Sequence, residues 1–157
     1  MKKAKIFILL FLSLSVLFTA CSSLSVEKEL DMLWNQAIIT SYYEPDEKKI
    51  TEIEEEYGTI KEAFTITALK SYNRSLEYRC VIVYFQHRDN ANLFYTDQKE
   101  LILTQNGSTQ LPDDSESYTF LRYDVNTDVI EFIEIFQHNK IVIWGDSPLV
   151  EVLSEHF

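Results

Sequence analysis

Residues Leu76–His87 read LEYRCVIVYFQH, and the reading of this stretch decides the fold. From Cys80 to Phe85 every residue is apolar or aromatic, so an extended chain here is apolar on both faces. A strand with one wet face alternates, whereas an unbroken run rich in β-branched residues is an interior strand. Segments with extended character lie around it. FTITALK (Phe64–Lys70) precedes it, and LFYTDQKELILTQ (Leu93–Gln105) follows and is expected to be strand with a kink near Asp97. Asn106-Gly107 is a two-residue hairpin signal. SYTFLRYDV (Ser117–Val125), VIEFIEIFQ (Val129–Gln137) and KIVIWG (Lys140–Gly145) complete the set, with a turn at His138-Asn139. VIEFIEIFQ is read as strand for its β-branched residues, with a helical stripe at Val129, Ile133 and Phe136 as the alternative.

Helical spacing is confined to the two ends. Val26, Leu30, Leu33, Trp34, Ala37 and Ile38 form one apolar stripe over about Val26–Ser41, with Ser25 as N-cap. Pro45 opens a second helix to Tyr57, with Ile50, Ile53 and Tyr57 on one face and Gly58 as the residue that ends it. Glu52 and Glu54–Glu56 read as its solvated side. Asp146-Ser147-Pro148 starts a last short helix through about Glu155, with Ser147 expected as its cap. Helices, then consecutive strands, then a helix describe an α+β domain over residues 26–157, its N-terminal helices packed on one face of a mainly antiparallel sheet. The element order is similar to that of cystatin-like and NTF2-like folds, in which helices pack in the bend of a curved sheet.

The first twenty residues carry a different message. Lys2, Lys3 and Lys5 precede a 13-residue apolar and hydroxyl run, Ile6–Phe18, and then Thr19-Ala20-Cys21. This is the layout of a secretory signal, and the run is short of the about 20 residues that span a bilayer. Phe18-Thr19-Ala20-Cys21 resembles the lipobox of bacterial lipoproteins, with Phe18 where leucine is usual. The resemblance covers residues 1–23. It implies that residues 1–20 are removed and that Cys21 becomes the lipidated first residue, palmitate among its acyl chains. Each buried CH₂ of such chains is worth about 0.8 kcal/mol. Residues 21–25 would then be a short tether. A Cys21–Cys80 disulfide and an uncut anchor helix are the alternatives.

The chain has 14 Lys and Arg against 25 Asp and Glu, a net charge of −11. Removing three lysines with the signal gives (14 − 3) − 25 = −14 for the remaining 137 residues. That charge repels nucleic-acid phosphates and anionic lipid headgroups alike. Nucleic acid is therefore set aside as a partner, and the membrane contact is expected to be the lipid alone. The expected location is the outer leaflet or the periplasmic side, outside the cytoplasm.

No catalytic motif is found in the sequence. HExxH, GxSxG, GxGxxG and the P-loop pattern are absent, and the glycines stand alone at 58, 107 and 145. Cys80 sits in an apolar strand, and alternation puts Arg79 on the opposite face, so it reads as a small hydrophobe. Asp124, Asn126 and Asp128 space oxygen ligands like the start of a calcium loop, but Val129 stands where glycine is needed and Ile135 where a bidentate glutamate belongs. They are the metal candidates, with Asx turns as the alternative. The pentads VYFQH and EIFQH end two strands at His87 and His138. These two histidines are the ligand-binding candidates, on condition that the strand ends are neighbours. His156 is expected to fray. The strand aromatics either line a cavity or fill the core.

The leading expectation is a non-catalytic binding or accessory role in the cell envelope, with an unknown protein or small ligand as partner and no cofactor. The alternatives are an NTF2-like protein with a small-ligand pocket between helix one and the sheet, and an inhibitor or immunity protein that turns its acidic face on a basic target.

Overall fold

The computed structural model describes residues 25–70, 73–104, 108–110, 117–124 and 129–157. In chain order the elements are α1 (Val26–Asn35), β1 (Ser41–Tyr43), α2 (Glu47–Tyr57), β2 (Ile60–Lys70), β3 (Asn73–Phe85), α3 (Arg88–Thr104), β4 (Ser108–Gln110), β5 (Ser117–Asp124), β6 (Val129–His138), β7 (Ile141–Asp146) and α4 (Ser147–Ser154). The strands form one seven-stranded sheet in the order β1-β2-β3-β7-β6-β5-β4, antiparallel throughout. The fold is α+β with a short C-terminal helix.

The apolar stretch of β3 lies inside the sheet, as its composition requires. Its neighbours are β2 and β7, with Cys80 opposite both Ile66 and Gly145. Alternate residues of β3 serve two separate cores. Cys80, Ile82 and Tyr84 join Phe64, Ile66, Ile141 and Ile143 beneath α1 and α4. Val83 and Phe85 join Ala63, Phe120, Ile135 and Val142 beneath α3, with α2 packed alongside through Ile50, Ile53 and Tyr57. Helices therefore cover both faces of the sheet, which corrects the expectation of a single covered face. A strand that is apolar on both sides needs both covers.

A second correction explains the first. Leu93–Gln105 was expected as strand, and Arg88–Thr104 is helix α3. Its buried residues Ala91, Phe94 and Ile102 fall at helical spacing, while Leu93, Leu101 and Leu103 are exposed and blur the stripe. At 1.5 Å per residue its 17 residues extend about 25 Å. That is enough to carry the chain from β3 across β7, β6 and β5, at about 4.8 Å per strand, to the far edge. The helix touches all five strands from β3 to β4.

Helix α1 begins where expected, with Ser25 Oγ accepting from Lys28 N at 3.4 Å. It ends six residues earlier than its apolar stripe suggests. Ala37 adopts φ 58°, Ile38 N donates to Leu33 O at 3.0 Å and Ala37 N to Trp34 O at 2.9 Å. This is a Schellman motif with alanine where glycine is usual. The chain turns, so Ile39 is buried and Ile38 and Trp34 face outward. Helix α2 starts at Glu47, its cap Asp46 accepting from Lys48 N at 2.8 Å. Gly58 ends it with φ 92° and ψ −179°, a backbone region that only glycine enters without strain.

The last helix also differs from expectation. Asp146 occupies the N-cap position of α4, and Ser147 is not the cap. Its hydroxyl donates instead to the buried Glu134 carboxylate at 2.8 Å, and Asp146 Oδ2 accepts from Arg79 N at 2.7 Å. The C-terminus does not fray. His156 Nδ1 lies 3.1 Å from Glu29 Oε1, and Phe157 packs on the core under α1.

Candidate functional site

Of the six residues singled out as candidates, four lie outside the described residues wholly or by their side chains, and the other two, His87 and His138, stand at the ends of strands that are not neighbours. Cys21 lies outside the described residues, as do Asn126 and Asp128. Asp124 is the last residue of β5, and its side chain lies outside the described residues as well. His87 and His138 do stand at the same end of the sheet. However, β7 runs between their strands, with Ile141 opposite both Tyr84 and His138. Two strand spacings separate β3 from β6, about 10 Å, and both histidines are exposed. The contact at this end is Gln137 Nε2 donating to Asn92 Oδ1 at 2.5 Å, which ties β6 to α3. Among the described residues no three His, Cys, Asp or Glu side chains come together to hold a metal ion.

Several of the aromatics are core, although Phe132 is 47 % exposed. Phe85, Phe94 and Phe120 are almost fully buried, and Phe94 packs against Phe85, Tyr57 and Trp144 with ring centroids 5.0–5.3 Å apart. The space between α1 and the sheet is filled by Val26, Leu30 and Leu33 against Phe64, Ile66 and Ile82, all 6 % exposed or less. The pocket expected there on the NTF2-like reading is closed. Cys80 is a free thiol in this same core. Burial first, and then the Asp146 carboxylate, push it well above the ordinary thiol range, which removes the thiolate a nucleophile needs.

Among the described residues, a concave feature with an acidic lining was not visible from motifs. It is a groove of about 500 Å³ beside the N-terminal half of β2. Strand β1 pairs with β2 only over Thr65–Thr67. Pro45 then sets the chain aside, having no N–H and a fixed φ, and α2 begins two residues later. The outer edge of β2 from Ile60 to Phe64 is thereby left facing the groove, with Ala63 and Phe64 as floor and Ile50 of α2 as one wall. Carboxylates rim it: Glu27 and Glu62 on the side of α1, Glu44 and Glu47 on the side of α2. Lys61 is the one basic side chain of its lining. Its ammonium lies 3.4 Å from Tyr84 Oη and 4.8 Å from the ring centre. Four acids against one base leave the lining at −3.

The groove is also tied to the start of the domain. Glu27 N donates to Glu62 Oε2 at 2.9 Å, which seats the first turn of α1 on β2. Nearby, Tyr42 of β1 donates its hydroxyl to Asp31 of α1. That hydrogen bond first, with burial second, raises Tyr42 to about 12.

A second cleft, of about 360 Å³, lies between α2 and α3 and is lined by Lys49, Glu52, Ile53, Tyr57, Phe94 and Trp144 among others. Burial, then the Asp97 and Glu56 carboxylates, hold Tyr57 at about 12, so the phenol there stays neutral. Among the described residues no helix is long and apolar enough to cross a membrane. The chain matches no protein-family model, no curated protein and no solved structure.

Proposed function

We propose that the protein is a lipid-anchored, non-catalytic binding protein of the bacterial cell envelope, tethered at Cys21 and recognising a cationic partner through the groove beside β2. The observation that carries this reading is the groove itself. It joins an apolar floor, an open strand edge and a −3 lining, and it adjoins the residue from which the tether departs. Only four residues, Ser22–Ser25, separate the lipidation point Cys21 from α1, a reach of at most about 18 Å. Glu27 follows two residues later, so the groove would lie close to the membrane.

The chemistry around the groove supports binding over catalysis. Four carboxylates around an apolar floor suit a ligand that is held by charge and by contact. Of the readings raised by the sequence, an acidic face directed at a basic target fits this lining best. The test is co-purification from the protein's own membranes in mild detergent, comparing wild type with Glu44→Lys. The expected partner is retained by wild type at low salt, released as salt rises, and lost from the variant. Retention that ignores both salt and the charge reversal overturns the reading.

A further inference from the structure

We infer that the groove takes an extended, basic segment of the partner protein as an added strand against β2, an inference that rests on the binding reading above. The backbone supplies the first argument. Thr40 N donates to Thr67 O at 2.8 Å, which puts the polar groups of Thr67 on the outer side of β2. Polar groups of alternate residues share a side, so those of Thr65 and Ala63 point the same way. Thr65 is opposite Tyr43, while Ala63 lies past the end of β1. At the far end Ile60 N already donates to Glu54 Oε1 at 2.9 Å. A short stretch centred on Ala63 is thus bounded by a capped amide at one end and by β1 at the other.

The second argument is the pattern of the walls. Successive side chains of an added strand point to opposite faces of the sheet. On one face they would meet Glu27 and Glu62; on the other they would meet Ile50 and Ala63. The complementary segment alternates basic and apolar residues. Native edge strands are usually guarded by lysines, bulges or prolines. Here the register irregularity between Ile60 and Glu62 and Lys61 guard the end, and Ala63, 7 % exposed, faces the groove where a strand would add, as in β-augmentation.

The probe is a fluorescein-labelled Lys-Val-Lys-Val-Lys peptide, titrated by anisotropy against the full-length protein in detergent micelles. Two further versions carry N-methyl groups on the backbone of either the lysines or the valines. The expected result is saturable binding of the parent, at least tenfold weaker binding of one methylated version, and weaker binding of the parent to Glu62→Gln, which keeps the acceptor for Glu27 N. No binding of the parent overturns the inference, as does equal binding of all three peptides, since charge alone would then hold them. Charge-sensitive co-purification that persists while the peptide fails removes the added strand and leaves the binding reading standing.

Discussion

Glu62 Oε2 accepts a hydrogen bond from the backbone N–H of Glu27 at 2.9 Å, so a side chain of β2 caps a helix 35 residues away in sequence. A carboxylate at a helix N-terminus satisfies an orphan donor and meets the positive end of the helix dipole. Glu62→Ala is expected to cost about 1 kcal/mol, and Glu62→Gln clearly less, because the amide oxygen still accepts. Chemical denaturation of the two variants side by side checks this; equal losses would mean that the hydrogen bond contributes nothing.

Ala37 holds a left-handed conformation, φ 58°, at the end of α1. An L-residue with a Cβ pays roughly 1–2 kcal/mol there, whereas glycine does not. Glycine loses about 0.4–1 kcal/mol of this through the greater freedom of the unfolded chain. Ala37→Gly is therefore expected to stabilise the domain by about 0.5–1 kcal/mol. A fall in the unfolding midpoint would contradict the Schellman geometry described for residues 33–38.

Gly145 presents the opposite case. It has φ 149°, and a Cβ there would stand 2.3 Å from Arg79 O and 2.5 Å from Cys80 Cα. Those are backbone atoms of the interior strand β3 and cannot step aside cheaply. Gly145→Ala is expected to destabilise by more than about 3 kcal/mol, read as loss of the cooperative transition or of soluble expression. A variant that unfolds like wild type would mean that β3 and β7 are not this close.

Two phenols tie stability to alkaline pH. Tyr42 and Tyr57 are both held at about 12 in the folded protein, against an ordinary value of 10.0. Their folded values are raised, so the folded state binds more protons between these limits and stability falls as pH climbs from 10 towards about 12. The stabilisation is complete below 10. Tyr42→Phe removes the donor to Asp31 and is expected to flatten part of that fall. An unchanged slope in unfolding measured across this window would show that Tyr42 titrates as a free phenol.

Much of the fold was legible because local signals agreed with the tertiary structure. The dry run of β3, the Ser25 cap and Gly58 each identified their elements from a few residues. What escaped was non-local. The pairing of β3 with β7 joins residues about sixty positions apart, such as Ile82 and Ile143, and no composition signal marks it. Helix α3 was misread because exposed leucines at 93, 101 and 103 obscure a stripe carried by Ala91, Phe94 and Ile102. Once that segment is a helix, it has to cross the sheet, and the second face acquires its cover. The groove was invisible for a related reason. Glu27, Glu44 and Glu62 are unremarkable in a chain with 25 acids, and only the early end of β1 ahead of Pro45 brings them to one groove. For the histidine pair the condition was that the two FQH strand ends be neighbours, and β7 runs between them.

The claim on which the envelope role depends most directly is that Cys21 alone holds this domain at the membrane. Fractionation of cells expressing wild type or Cys21→Ser tests it. Wild type is expected in the membrane fraction, resistant to high salt and released by detergent; Cys21→Ser is expected in the soluble fraction with its fold intact, since the domain carries no apolar span among its described residues and a charge that lipid headgroups repel. Retention of Cys21→Ser in the membrane would contradict the account and identify Ile6–Phe18 as an uncut anchor.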